Sequence, residues 1–214
     1  MSGALTVSII INVIIVVYFF AAWISLAYLT PPVDEKLTGH GLESLKFFTI
    51  LSNMGSAIVS IIYLIVVLLG SGTVPGWLLI CKLVACAEVT VTFITVIAIL
   101  IPKYGAKAMY GGGNLAVHLI LPLLCIIDCV FFVPVGTLPL PMTLLALIPP
   151  AIYGMRYLGK IKRYGTERDG VVYDFYGFMR WGEEKIPVIT AIMLSSTLLY
   201  TVIIRGLSSL FCVL

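Results

Sequence analysis

Thr49 and His118 are the two side chains in this sequence best suited to do chemistry together. Thr49 lies in LKFFTILSN (45–53), three residues beyond Lys46, where an apolar run begins. His118 lies five residues beyond Gly113 and four beyond Asn114, where another apolar run begins. A hydroxyl and an imidazole are the minimum parts for nucleophilic catalysis: the imidazole takes the proton, and the alkoxide attacks an ester carbonyl. At a helical rise of about 1.5 Å per residue, both would sit roughly 5–8 Å inside the same boundary, the depth at which lipids carry their ester groups. The same residues also fit a plainer arrangement, a buried histidine bonded to a backbone carbonyl or to Asn114.

The elements that must position this pair follow from composition. The chain has 214 residues, 61% of them hydrophobic and 11% charged, with a mean hydropathy of +1.14. A water-soluble domain of this size cannot bury so much apolar side chain, so the bilayer is the expected solvent. The expected fold is all-α, a single polytopic transmembrane domain over 1–214 with a bundle of about six helices. A span needs about 20 mostly apolar residues, and the segments that qualify are 5–28, 46–69, 76–101, 114–133, 140–158 and 187–211. Thr30-Pro31-Pro32, the glycines and proline of 70–75, Pro102 with Gly111-Gly112-Gly113, and the prolines of 134–141 separate them. Pro149-Pro150 is expected to kink the fifth helix. The first run is too long for a signal-peptide core and lacks a basic leader, so it reads as a retained helix. No internal repeat supports an inverted-repeat transporter.

Charge orients the bundle. Of the 13 Lys and Arg residues, all but Lys82 and Arg205 fall within or beside 29–45, 102–113 and 159–186. These basic loops are expected on the cytoplasmic side, with both termini outside. The net charge of +3 is too small to suggest nucleic acid. GKIKRYGTER, in the first half of loop 159–186, suits anionic headgroups. VVYDFYGFMRWG, in its second half, reads either as a solvated loop or as a segment that folds back toward the bundle.

Ionisable groups in hydrocarbon are costly, so each calls for a partner or a role. Lys82, Glu88, His118, Asp128 and, nearer an end, Arg205 are the cases here. Lys82 and Asp128 belong to the same half of the membrane and are expected to pair. Asp128 is ten residues from His118, about 15 Å along an axis, so it cannot orient the imidazole. Glu88 is the better-placed carboxylate. Thr49, Ser52, Asn53, Ser56 and Ser60 share one helical face, as do Glu88, Thr92 and Thr95, and Thr190, Thr197 and Thr201 form a third stripe. These stripes fit helix–helix hydrogen bonding as well as they fit a site. Cys81, Cys86, Cys125, Cys129 and Cys212 lie in apolar runs without metal-ligand spacing, so no metal is expected, and no motif calls for a cofactor.

SLKFFTILSN, NLAVHLILPLLCIID and VVYDFYGFMRWG together resemble the androgen-induced integral membrane threonine hydrolase family. The family threonine follows a Lys-Phe-x pattern, here Lys46-Phe47-Phe48-Thr49. Its histidine follows an asparagine by four residues and precedes a proline, here Asn114, His118 and Pro122. Its aromatic segment matches Tyr173, Phe175, Tyr176 and Phe178. The chain departs from the family at Leu51-Ser52-Asn53, where an acidic residue is common, and at Asp174. Its short length suits a prokaryotic relative. The resemblance implies a membrane-embedded hydrolase of lipid esters, such as fatty-acid esters of hydroxy fatty acids. Thr49 would be its nucleophile and His118 its base. Asn53 would be an oxyanion donor one turn away, supported by Ser52. Asn114 or Glu88 would orient His118, and Tyr153, Tyr173, Phe175 and Tyr176 would line a substrate pocket. The expected partners are the lipid ester and membrane lipids. Two other readings stand beside this one: a small proton-linked transporter or channel, and a non-enzymatic lipid-binding membrane protein.

Overall fold

A computed structural model of the chain describes residues 3–29, 41–70 and 73–213. Among these residues, five helices are long and apolar enough to cross a membrane. They are α1 (Gly3–Leu29), α2 (Phe48–Leu69), α3 (Gly76–Tyr104), α4 (Gly113–Phe132) and, after an intervening helix, α6 (Ile186–Phe211). The protein is an all-α, multi-pass integral membrane protein. The expected breaks at 30–32 and 71–72, and most of loop 29–45, lie outside the described residues.

The segment expected as the fifth span differs from the rest. Residues Leu140–Leu147 form a 3₁₀ run, and the α-helix, α5, occupies Ile148–Tyr164. Pro149 and Pro150 therefore sit in the first turn of α5, where a missing N–H is tolerated, and do not kink a helix interior. The segment still runs the length of the bundle. The Leu138 carbonyl just before it accepts from Arg205 Nε near the end of α6, whereas the Tyr153 hydroxyl reaches the Lys46 carbonyl at the start of α2. The 3₁₀ rise of about 2.0 Å per residue lets the shorter α-helix suffice. GKIKRY, expected as loop, forms the last turns of α5, with Lys162 and Arg163 beside its C-terminal carbonyls.

Prolines also shape the other helices. Widened π turns occupy Ser25–Leu29, Val96–Leu100, Ala116–Ile120 and Asp128–Phe132. Two of them, Val96–Leu100 and Ala116–Ile120, end two residues before a proline that lies within the helix, Pro102 and Pro122. A proline cannot donate to the carbonyl four residues back, and its ring would strike it. Widening the preceding turn moves that carbonyl aside. His118 lies in such a turn, so Pro122 also sets where this side chain emerges.

α3 is the central helix. It contacts α2, α4, α6 and the 3₁₀ run, and 86–92 are buried all round its circumference. At the end remote from Thr49 the packing is closest around Gly136, whose N–H donates to Ser208 Oγ. A Cβ there would overlap Ser209 N and lie 2.5 Å from Ser209 Cα, backbone atoms with no rotamer to yield. Gly136→Ala is therefore expected to destabilise the bundle by about 1–3 kcal/mol, read as a lower thermal midpoint in detergent. An unchanged midpoint would contradict this packing.

Candidate functional site

Thr49 occupies the first turn of α2, half-buried, behind Phe47, which provides no side-chain cap. Its carbonyl accepts from Ser52 Oγ (3.1 Å) and from Asn53 Nδ2 (2.8 Å). Among the described residues, no hydrogen bond engages Thr49 Oγ1. The inward stripe continues with Ser52, Asn53, Ser56 and Ser60, all buried. Ser52 meets Thr92 Oγ1 of α3 at 3.0 Å, and Ser56 meets Cys125 Sγ of α4 at 2.9 Å.

Asn53 has a different part from the one expected. The nitrogen that binds the Thr49 carbonyl also donates to the Val117 carbonyl, at 3.1 Å. Two carbonyl acceptors fix the amide's orientation, since its oxygen could not face them. With both of its hydrogens committed, Asn53 is not available as an oxyanion donor. It acts as a bridge: one nitrogen holds the backbones of Thr49 and Val117 within about 6 Å of each other. Val117 is the residue before His118. Asn53 thus ties the first turn of α2 to the residue before His118, backbone to backbone.

His118 is 7% exposed, and its Nδ1 lies 2.8 Å from the Met109 carbonyl. A carbonyl only accepts, so Nδ1 carries the proton and Nε2 keeps its lone pair. The orienting group is therefore this carbonyl, on the turn Ala106–Met109. Neither Asn114 nor Glu88 does the orienting. Asn114 Nδ2 donates to the Ala108 carbonyl on the same turn, at 3.3 Å. Glu88 is buried in α3 with no hydrogen-bond partner on either oxygen.

The aromatic segment folds back over this end. A two-residue hairpin (β1 Glu167–Arg168, β2 Val171–Val172) turns at Asp169-Gly170, both at positive φ, as an Asp-Gly turn favours. Asp174 then accepts from the N–H groups of Phe178 and Met179 and from the Tyr157 hydroxyl. This holds Phe175 against Phe47 (5.2 Å between centroids) and brings the Tyr176 hydroxyl to the Phe48 N–H (2.9 Å). Burial pushes the Tyr176 phenol above its usual range, which keeps it neutral. Tyr153 packs on Phe48 and Tyr176. Tyr173 stacks on Tyr164 away from this group. Of the four residues expected to line a substrate pocket, three thus form a packed cap on the start of α2. A cavity of about 480 Å³ lies beside the cap, lined by Lys103, Asp174, Phe175 and Arg180 among others. Phe175 is the one of the four that reaches it.

The Tyr176 hydroxyl satisfies a helix-start donor that has no other cap. Tyr176→Phe is expected to cost about 1–3 kcal/mol and to open 166–182 to limited proteolysis. An unaltered cleavage pattern would contradict the clamp.

The opposite half of the bundle holds the expected Lys82–Asp128 pair, at 2.7 Å. Its support is wider than the sequence reading anticipated. Asp128 also accepts from Ser8 Oγ (2.6 Å) and Asn12 Nδ2 (2.8 Å) of α1. Lys82 donates to Asn12 Oδ1 (2.7 Å) and lies over the Tyr63 ring. Ser8 has given its one proton to Asp128, so at its 2.9 Å contact Tyr63 donates. Ser8 and Asn12, four residues apart in a mostly apolar helix, carried a signal of this arrangement. Thr197 and Thr201 are buried, but both bond carbonyls of their own helix, and Thr190 is exposed. The α6 stripe therefore adds nothing to the site.

Compared with known proteins, the chain matches no family model, and no curated protein or solved structure matches it.

Proposed function

We propose that the protein is a membrane-embedded hydrolase of lipid esters, with Thr49 as nucleophile and His118 as base. The observation that carries this reading is the Asn53 bridge, which holds the Thr49 turn against the residue preceding His118. Two features support it. Thr49 Oγ1 is not engaged by any described residue, and the Met109 carbonyl fixes the tautomer that leaves Nε2 basic. The family resemblance rests on the short motifs alone and adds the substrate class, fatty-acid esters of hydroxy fatty acids.

In this reaction His118 Nε2 takes the Thr49 proton as Oγ1 bonds to the ester carbonyl carbon. The ester C–O bond then breaks, the proton passes from His118 to the leaving alcohol, and an acyl-threonine remains. Water, deprotonated by His118, attacks the acyl carbon; the bond between that carbon and Thr49 Oγ1 breaks, the proton on His118 returns to Oγ1, and the fatty acid leaves. With Asn53 committed elsewhere, the donors for the oxyanion are the uncapped N–H groups of the α2 first turn. The Phe48 N–H is already taken by Tyr176. The basic end of the bundle is cytoplasmic in this reading, and the ester enters from the leaflet on that side.

The closed opposite end favours an enzyme over a transporter. Ser8, Asn12, Tyr63 and Asp128 are fully buried there in a saturated network, whereas a transport site must open to both sides. The test is hydrolysis of a long-chain fluorogenic ester by purified protein in lipid. Wild type is expected to turn over, and Thr49→Ala and His118→Ala, matched for folding, are not. Equal rates in all three would reject the assignment.

A further inference from the structure

Glu88 is used by nothing described so far. It is 4% exposed, in the middle of the central helix, and among the described residues neither carboxyl oxygen has a hydrogen-bond partner. Its place in the fold follows from a neighbouring contact. Thr92, one turn on, meets Ser52 of α2 at 3.0 Å. Residues four apart share a helix face, so Glu88 enters the same α2–α3 seam, at about the level of Ser56. The other unpartnered buried atoms, Asn53 Oδ1 and Ser60 Oγ, lie on the α2 stripe above and below that level. Among the described residues, no cation pairs with these oxygens.

The charged groups of the surrounding helices are committed elsewhere, and Tyr200 of α6 is the further titratable side chain on a helix packed against α3. Lys82 on α3 is bound to Asp128 of α4 and to Asn12. On α2, Tyr63 bonds Ser8. On α4, His118 bonds Met109, Cys125 bonds Ser56, and Cys129 donates to the Lys82 carbonyl. Cys86 is a buried thiol on α3 itself. Arg205 of α6 donates to Leu138 at the far end, and the 3₁₀ run 140–147 has no ionisable side chain. A bare carboxylate in such a place lacks both donor and counter-charge, and that is the arrangement proteins avoid most strongly.

We infer that Glu88 is a proton-binding site in the α2–α3 seam, holding one exchangeable proton as the neutral acid. The proton removes the charge and supplies the seam with a donor. Its loss leaves an unpaired carboxylate, which only water or a small cation entering the seam could compensate. Occupancy of the site is therefore linked to hydration between α3 and α2, the helix that carries Thr49. The inference does not depend on Thr49 being a nucleophile.

Infrared difference spectroscopy of the full chain in lipid, wild type against Glu88→Gln, tests it. The expected result is a carbonyl band of a neutral carboxylic acid at neutral pH, lost in Glu88→Gln. The band should shift in D₂O and fade reversibly as pH rises, with the same profile in sodium and in choline salts. Carboxylate bands in the neutral-pH difference spectrum would overturn the inference. So would a neutral band that neither exchanges nor titrates. Loss of the neutral band at neutral pH when sodium replaces choline would make a metal cation the resident ligand and overturn the inference. Should Glu88→Gln fail to fold, side-chain ¹³C-glutamate labelling of wild type gives the same reading: one glutamate signal neutral while the others are ionised.

Discussion

Asp128→Ala is expected to lower the thermal midpoint in mild detergent more than Gly136→Ala or Tyr176→Phe does. The substitution leaves the Lys82 ammonium buried without a counter-charge, and breaking a buried pair in this way costs about 3–5 kcal/mol. It also strips acceptors from Ser8 and Asn12, whose bonds to Asp128 tie α1 to α4. Asp128→Asn, which keeps the shape and one acceptor, is expected to lose less. Replacing both partners, Lys82→Met with Asp128→Leu, removes the stranded charge and should recover much of the loss, because a buried ion pair is costly to form as well as to break. Thermal midpoints of the three variants in one detergent check the order. A double variant no more stable than Asp128→Ala would show that the network is irreplaceable for reasons other than charge.

The second large effect concerns chemistry. Thr49→Ala is expected to remove ester turnover, and Thr49→Ser to keep it, since serine preserves the hydroxyl and sheds the crowding methyl. His118→Ala should lower turnover by about 10²–10⁴-fold, the usual contribution of a positioned base. Asn53→Ala removes no reacting group, so its effect should appear as lower turnover that Asn53→Gln does not restore, because a longer amide cannot hold both carbonyls at 2.8 and 3.1 Å. Rates measured on one ester at matched protein levels decide these points. Full activity in Thr49→Ala would end the mechanism.

Much of this arrangement was legible in the residues. Apolar length marked α1, α2, α3, α4 and α6, and the depth of Lys82 and Asp128 predicted their pairing. The inward face of α2 followed from its 3–4 residue spacing. What could not be read was set by backbone. Pro149-Pro150 announced a kink, but the structure resolves the strain by making the preceding turns 3₁₀. The direction of the Asn53 amide depended on a carbonyl of another helix. The group that orients His118 is the Met109 carbonyl, and a backbone carbonyl has no sequence signature. The hairpin at Asp169-Gly170 did carry a signal, as did Ser8 and Asn12, whose spacing in an apolar helix points to a buried partner.

The central claim is that Thr49 is an activated nucleophile held beside His118. The most direct measurement is a fluorophosphonate activity probe applied to membranes containing wild type, Thr49→Ala or His118→Ala at equal expression, with the modified peptide mapped by mass spectrometry. The account predicts labelling of wild type on Thr49 and loss of labelling in both variants. Equal labelling of all three proteins, with the probe mapped to another residue, would contradict it.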